Sequence, residues 1–179
     1  MSTLRYALLA ALHAGPLTGY EIVQRMRRPI GYYWTAQQSQ IYPELARMTA
    51  DGLIDHDVAA GPGPHDRKIH RLTAAGRAEL AQWLVQPPQR RPPKDELVLK
   101  TYALAAADRE AMRALYRAEA QKHRRRLDDY LAQQAQAEAQ GHDDPANPKF
   151  GAYATLRMGV AAERTMLDWC EWLVLRLER

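Results

Sequence analysis

QSQIYPELARMTADGLI, residues 38–54, decides the reading of this chain. Leu45, Met48 and Leu53 recur at roughly helical spacing and make one apolar face. The other side carries Gln38, Ser39, Gln40, Tyr42 and Arg47. A helix buried on one side and rich in amide, hydroxyl and guanidinium groups on the other suits the major groove of duplex DNA. There such side chains hydrogen-bond base edges and phosphates. Ser39 or a close neighbour is expected to cap this helix. Pro43 is expected in or near the first turn, where its missing N–H matters least. Asp51 and Gly52 are expected to end it.

Upstream, residues 4–13 read as a short helix with Leu4, Leu8 and Leu12 on one side, stopped by Gly15 and Pro16. Thr18 reads as the N-cap of a second helix running to about Arg28, with Glu21 completing a capping box. Pro29 and Gly31 close that helix, and Tyr32, Tyr33 and Trp34 form an aromatic knot before the next. Downstream, Leu53 to Ala59 reads as a strand. GPGPHD at 61–66 is a turn by its Gly and Pro content, and Arg67 to Leu72 is the return strand. By strand alternation His70 shares a face with Leu72. Arg67, Lys68 and Arg71 flank the hairpin tip, where cations meet phosphate with an affinity that falls steeply as salt rises. Thr73 opens a further helix, TAAGRAELAQWL. Arg25, Arg27 and Arg28 are explained equally well by DNA backbone contact and by the dipole at a helix C-terminus.

The order helix, helix, helix, hairpin is that of a winged helix-turn-helix. The fold class is mainly α with a small β hairpin, a winged helix-turn-helix DNA-binding domain followed by a C-terminal antiparallel helical dimerisation domain. The boundaries read as 1–86 for the winged domain, 87–94 for a linker inside the Pro-rich QPPQRRPPKD, and 95–179 for the helical domain. In the latter, residues 95–106, 108–140 and about 151–178 are helical by composition, and GHDDPANPK at 141–149 separates the two long helices. Tyr153, Leu156, Val160, Leu167, Cys170, Val174 and Leu177 fall on successive heptad positions, interrupted only by Glu163. Met166, Trp169 and Leu173 widen the stripe. So wide a face calls for a partner surface, part of it the preceding helix and the rest a second subunit. The basic run Lys122 to Arg126 points in several directions and reads as a solvated, salt-bridged face.

Composition narrows the class. The chain has 179 residues, a formal net charge of +4 and a single cysteine, Cys170. Mild basicity is compatible with an anionic partner. One cysteine excludes an internal disulfide framework, and at a heptad position it reads as a small buried hydrophobe. The apolar runs are too short to cross a membrane and no secretory signal is legible, so the expected location is cytoplasmic. The six histidines lack metal-ligand spacing. No phosphate loop, nucleophile elbow or paired-His helix is present. No metal, no cofactor and no enzymatic activity are expected.

Four segments together carry a family resemblance: YALLAALHAGPLTGYEIVQRM (6–26), QSQIYPELARMTADGLI (38–54), RKIHRLTAAGRAELAQWL (67–84) and DELVLKTYALA (95–105). TLRMGVAAERTMLDWCEWL (155–173) looks like the same family's dimerisation helix. The chain resembles the PadR family of bacterial transcriptional regulators, in the subgroup with a long C-terminal helical domain, over nearly its whole length. The resemblance implies a homodimeric regulator, a repressor on an inverted-repeat operator. The DNA-contacting set would be Gln38, Ser39, Gln40, Tyr42, Arg47, Arg67 and Lys68. The dimer would form through Leu156, Val160, Leu167, Cys170, Val174 and Leu177. A small aromatic or phenolic ligand would act beside Tyr33, Trp34, Tyr102 and Trp169, residues for which core packing is the alternative. Three positions depart from the family pattern. Gln38 and Ser39 stand where relatives often have a His-Gly pair or small residues, and His70 stands where the return strand often has an aromatic. A winged-helix protein-interaction scaffold is the competing function, although a pure scaffold would not require the polar face of the 38–52 helix or the basic hairpin.

Overall fold

Apolar residues at helical spacing, punctuated by caps and glycine turns, produce most of the elements. The computed structural model describes residues 3–27, 38–60, 67–88 and 95–178. The elements in chain order are α1 (Thr3–His13), β1 (Leu17–Thr18), α2 (Gly19–Arg27), α3 (Gln38–Ala50), β2 (Ile54–Ala59), β3 (Arg67–Leu72), α4 (Ala74–Leu84), α5 (Glu96–Tyr102), α6 (Arg109–Ala139) and α7 (Phe150–Leu177). A 3-10 turn lies at Leu104–Ala106. The chain divides into two units, Met1–Arg90 and Arg91–Arg179.

In the first unit, α1, α2 and α3 converge through Leu8, Leu9, Leu12, Ile22, Met26, Ile41, Leu45 and Met48, all nearly inaccessible. Each such side chain contributes roughly 1.5–3 kcal/mol on burial. The capping box at α2 is present. Thr18 Oγ1 accepts from the Glu21 N–H at 3.2 Å, and Glu21 Oε2 accepts from the Thr18 N–H at 2.7 Å. That backbone bond, with the Thr18 hydroxyl, holds the Glu21 carboxyl below its ordinary range. α3 ends at Gly52 with φ of +71°. The Gly52 N–H bonds the Thr49 carbonyl at 3.1 Å and the Leu53 N–H bonds the Met48 carbonyl at 2.9 Å. This is a Schellman close, and the buried Met48 and Leu53 lie at the two positions that characteristically touch in it.

The start of α3 differs from the sequence expectation. Ser39 lies inside the helix rather than at its cap. Pro43 is the sixth helical residue, past the first turn, so the Ser39 carbonyl loses the donor that a residue 43 N–H would supply. The sheet has a third strand that alternation could not reveal, because β1 is two residues long. The order is β1-β3-β2, all antiparallel, with Leu17 opposite His70 and His56 opposite His70 on the other side. α4 is capped by Thr73, whose Oγ1 accepts from the Gly76 N–H at 3.0 Å. A Cβ on Gly76 would lie 2.0 Å from the Leu53 carbonyl oxygen, so this helix can approach the end of α3 only through a glycine. Tyr6 of α1 stacks on Trp83 of α4 at 4.5 Å between ring centroids. The expected turn at 61–66, the aromatic knot at 32–34 and the segment 89–94 of the expected linker lie outside the described residues.

In the second unit, Asp95 caps α5 and Asp108 caps α6 through side-chain bonds to backbone N–H groups. α6 and α7 run antiparallel. Tyr153 Oη donates to Glu138 at 2.8 Å, His123 meets Glu163 at 2.5 Å, and Tyr116 meets Trp169 edge-on at 6.1 Å. Tyr116 is fully buried with its hydroxyl 2.8 Å from Thr101 Oγ1, which ties α5 to the pair. Four of the five residues of the basic run meet carboxylates, three of them on α7. His123 and Arg126 reach Glu163, Arg124 reaches Glu171, and Lys122 bonds Glu119 within α6.

The heptad stripe of α7 packs on the preceding helix, as expected of part of it. Val160, Leu167 and Cys170 are buried within the unit, and Leu156, Val174 and Leu177 are half-buried. The antiparallel neighbour α6 already covers this stripe, so most of it is not free for a second subunit. A second stripe with the same alternating spacing of four and three points outward: Ala154, Met158, Ala161, Thr165, Asp168, Trp172 and Leu175, every one exposed. No helix among the described residues is long and apolar enough to cross a membrane.

Candidate nucleic-acid interface

The inner face of α3 is Ile41, Glu44, Leu45 and Met48, at the i, i+3, i+4, i+7 positions that one helix face requires. Three of these fill the core. Glu44 is only 3% exposed and is satisfied by two guanidinium groups, Arg5 Nε at 3.3 Å and Arg47 at 2.8 Å. Arg5 also reaches Asp51 at 2.6 Å, so α1 is tied both to the middle of α3 and to the turn that follows it. A buried carboxylate flanked this way costs several kcal/mol if its partners are removed, because the charge would be left unpaired.

The opposite face of α3 is open. Ser39, Gln40, Tyr42, Ala46 and Arg47 are exposed. Gln38 begins the helix, and its side chain lies outside the described set. Arg47 extends into solvent but shares its charge with Glu44, so it is an oriented group rather than a loose cation. Tyr42 leans its ring on the start of α2. A Cβ on Gly19 would lie 2.7 Å from Tyr42 Cε1, and the absence of that Cβ seats the phenol. Arg25, by contrast, donates to the Ala11 carbonyl at 3.0 Å and holds α2 on α1.

The hairpin sorts its charges by face. Asp55 and Asp57 of β2 both pair with Arg71 of β3, so the Arg71 charge is compensated within the sheet. The other side carries Lys68, His70 and Leu72 opposite Val58, His56 and Ile54. Arg67 and Lys68 are exposed near the hairpin end, and Arg67 donates to the Ala60 carbonyl at 3.3 Å. His70 is 7% exposed, as alternation implied. Burial first, then the nearby His56 and Lys68 charges, push its imidazole below the ordinary value.

A cleft of about 580 Å³ joins these parts, and Tyr42, Arg67 and Lys68 all line it. Three of the seven residues singled out for DNA contact are therefore brought together around one depression, while Ser39, Gln40 and Arg47 continue along the open face of α3. Glu44, Gly19 and His56 belong to the same constellation and escaped attention. Gly19 and Glu44 had a signal, since each sits inside a quoted motif, Leu-Thr-Gly-Tyr-Glu and Gln-Ile-Tyr-Pro-Glu-Leu. His56 had none, because its neighbour is set only by strand register.

Of the residues singled out for a ligand, Tyr33 and Trp34 lie outside the described residues. Tyr102 is exposed at the end of α5, and Trp169 packs on Tyr116. Among the described residues no group of three or more His, Cys, Asp or Glu side chains could hold a metal ion.

Comparison with known proteins places this geometry. Residues 8–82 match the transcriptional regulator PadR-like family, and residues 93–178 match the virulence activator alpha C-terminal family. The negative transcriptional regulator PadR of Bacillus subtilis is 31% identical, with 100% of each chain aligned. The crystal structure of B. subtilis PadR in complex with operator DNA superposes with a TM-score of 0.91 at 30% identity, covering 99% of this chain and 98% of that one. The structure of the same protein with p-coumaric acid superposes at 0.80, with 28% identity over 99% and 100% of the two chains. With the exposed polar face of α3 and the basic edge of β3, these likenesses establish that the chain belongs to the PadR-like family of transcriptional regulators and is not an enzyme.

Proposed function

We propose that this chain is a homodimeric repressor that binds an inverted-repeat operator, with α3 in the major groove and the β2–β3 hairpin on the flanking backbone. The observation that carries this reading is the full-length likeness to the operator-bound PadR of B. subtilis. The polar face of α3 supports it with groups suited to base edges, at Ser39 and Gln40, while Tyr42, Arg67 and Lys68 suit phosphate oxygens. Gln38 and Ser39 start the helix, where recognition helices meet bases, so the operator preference is assigned there. Acting on DNA, the protein would work in the cytoplasm.

The dimer is assigned to the outward stripe of α7, around Met158, Trp172 and Leu175, since the inward stripe is already covered. Two winged units held in this way would present their α3 helices about 34 Å apart, one turn of the duplex. Release by a small aromatic or phenolic ligand is proposed by extension from the p-coumaric acid complex of the relative. Such a ligand acts only through different affinities for the DNA-competent and incompetent states.

Footprinting on the DNA flanking the gene tests the reading. A protected inverted repeat is expected, and addition of p-coumaric acid should weaken protection. Uniform binding to random DNA would remove it. Arg67→Ala and Lys68→Ala should each lower the slope of log affinity against log salt by about 1, the mark of one lost phosphate contact. Met158→Glu with Leu175→Glu should yield monomers in light scattering. A dimer that survives both changes would move the interface elsewhere.

A further inference from the structure

The cleft beneath Tyr42 holds more than phosphate contacts require. His56 and His70 face each other across β2 and β3 with ring centroids 5.6 Å apart. Both rings line the cleft, and Nδ1 of each is buried without a hydrogen-bond partner among the described residues. Buried polar atoms are nearly always satisfied, and one that is not calls for a water, an ion or a ligand. A half-turn of either imidazole exchanges Nδ1 with Cδ2 and brings the nitrogen to the ring's other edge. The wall opposite is apolar, made by Leu45, Ala46 and Gly19, and Arg67 and Lys68 stand at the cleft as well. No carboxylate is among the lining residues that the structure describes. A volume of about 580 Å³ lies within the range of small-molecule sites, which combine apolar walls with a few convergent polar groups.

We propose that this cleft is a binding site for a small organic acid. The compact apolar body rests on Leu45 and Ala46, and the carboxylate meets the imidazole pair and the cations of β3. The site lies within the first unit and shares no residue with the aromatics Tyr102 and Trp169 of the second. Because Tyr42, Arg67 and Lys68 are also assigned to DNA, an occupant competes with the operator. That competition alone rests on the proposed function.

The test is calorimetric titration of the full chain, without DNA, using benzoate, cyclohexanecarboxylate and, as a control, inorganic phosphate. Saturable binding of both carboxylates is expected, with phosphate at least tenfold weaker because it leaves the apolar wall uncovered. His70→Phe puts a larger aromatic ring in place of the imidazole and removes its nitrogens, and Ala46→Leu fills the wall from an exposed helix position. Each should weaken the carboxylates at least tenfold while the thermal melt shows a folded protein. Leu84→Ala, at an exposed position outside the cleft, should change nothing. Absence of saturable binding, equal binding of phosphate, or full binding by both His70→Phe and Ala46→Leu would overturn the site. Repeating the titration with the flanking DNA reads the competition. Displacement supports it, simultaneous binding of both overturns it, and failure of the chain to bind DNA at all would count against the proposed function while leaving the titration intact.

Discussion

The two units solve the problem of burying apolar surface in opposite ways. The first is assembled from short elements that close on themselves, with helices of 9 to 13 residues around a three-stranded sheet. The second stakes nearly everything on two long helices. Of the 31 residues of α6 only Met112, Tyr116, Ala120, Leu127 and Tyr130 are buried. Outside, α7 leaves Met158, Trp172 and Leu175 in solvent, and α5 leaves Val98, Leu99 and Tyr102 there. A helical hairpin has only one seam, so its outer faces remain open, whereas a sheet braced by helices can enclose a core. The difference teaches that the first unit is built to present a surface and the second to acquire one.

Several substitutions would break or sharpen this contrast. The largest effect is expected for Tyr116→Ala, which empties the centre of the thin second unit and removes the bond that ties Thr101 of α5 to it. The loss should be about 3–5 kcal/mol, as for other buried aromatics. Hydrogen exchange reads the two units separately, and α6 and α7 should lose protection while α1 to α3 keep theirs. Equal loss in both units would show that they do not have independent cores. Next is Gly76→Ala in the first unit. The obstructing atom is a backbone carbonyl that cannot step aside, so about 3 kcal/mol is expected. Here the pattern of lost protection should be reversed. A neutral result would mean that α4 can slide on Leu53.

Thr18→Ala should cost about 1 kcal/mol, the usual worth of an N-cap. The effect should depend on pH. The Glu21 carboxyl is lowered in the folded chain from its ordinary 4.5. Its contribution is therefore complete above that value and is lost as pH falls through the lower folded value. Urea melts of Glu21→Gln and the parent should differ at pH 7 and converge in acid, and a difference that persists there would disprove the capping box. The smallest effect concerns Cys170. Burial pushes its thiol up to about 11, so native protein at pH 8 should react with iodoacetamide far more slowly than unfolded protein. Rapid native labelling would mean that the α6–α7 seam opens readily.

What was legible in the chain follows from range. Caps and stops are local events, and Thr18 with Glu21, Asp51 with Gly52, and Thr73 could be read because each acts within about one turn. The inward stripe of α7 was equally visible as periodicity, but periodicity does not say which surface covers it. The preceding helix covers this stripe, and the same periodicity would serve whichever surface did so. Pro43 and Ser39 were misplaced because α3 begins earlier than its cap-forming residues suggest. β1 was missed because two residues carry no pattern.

The sequence by itself determined the helix–helix–helix–hairpin order, the family and the basic edge of β3, since these depend on residue type and spacing along the chain. Only the tertiary structure decided that Glu44 lies buried between Arg5 and Arg47. Only it neutralised Arg71 on one sheet face and opposed His56 to His70 on the other, beside one cleft. Apart from Glu44 with Arg47, which are neighbours on one helix, those pairings join residues 14 to 39 positions apart. They depend on strand register and helix packing, which no local propensity encodes.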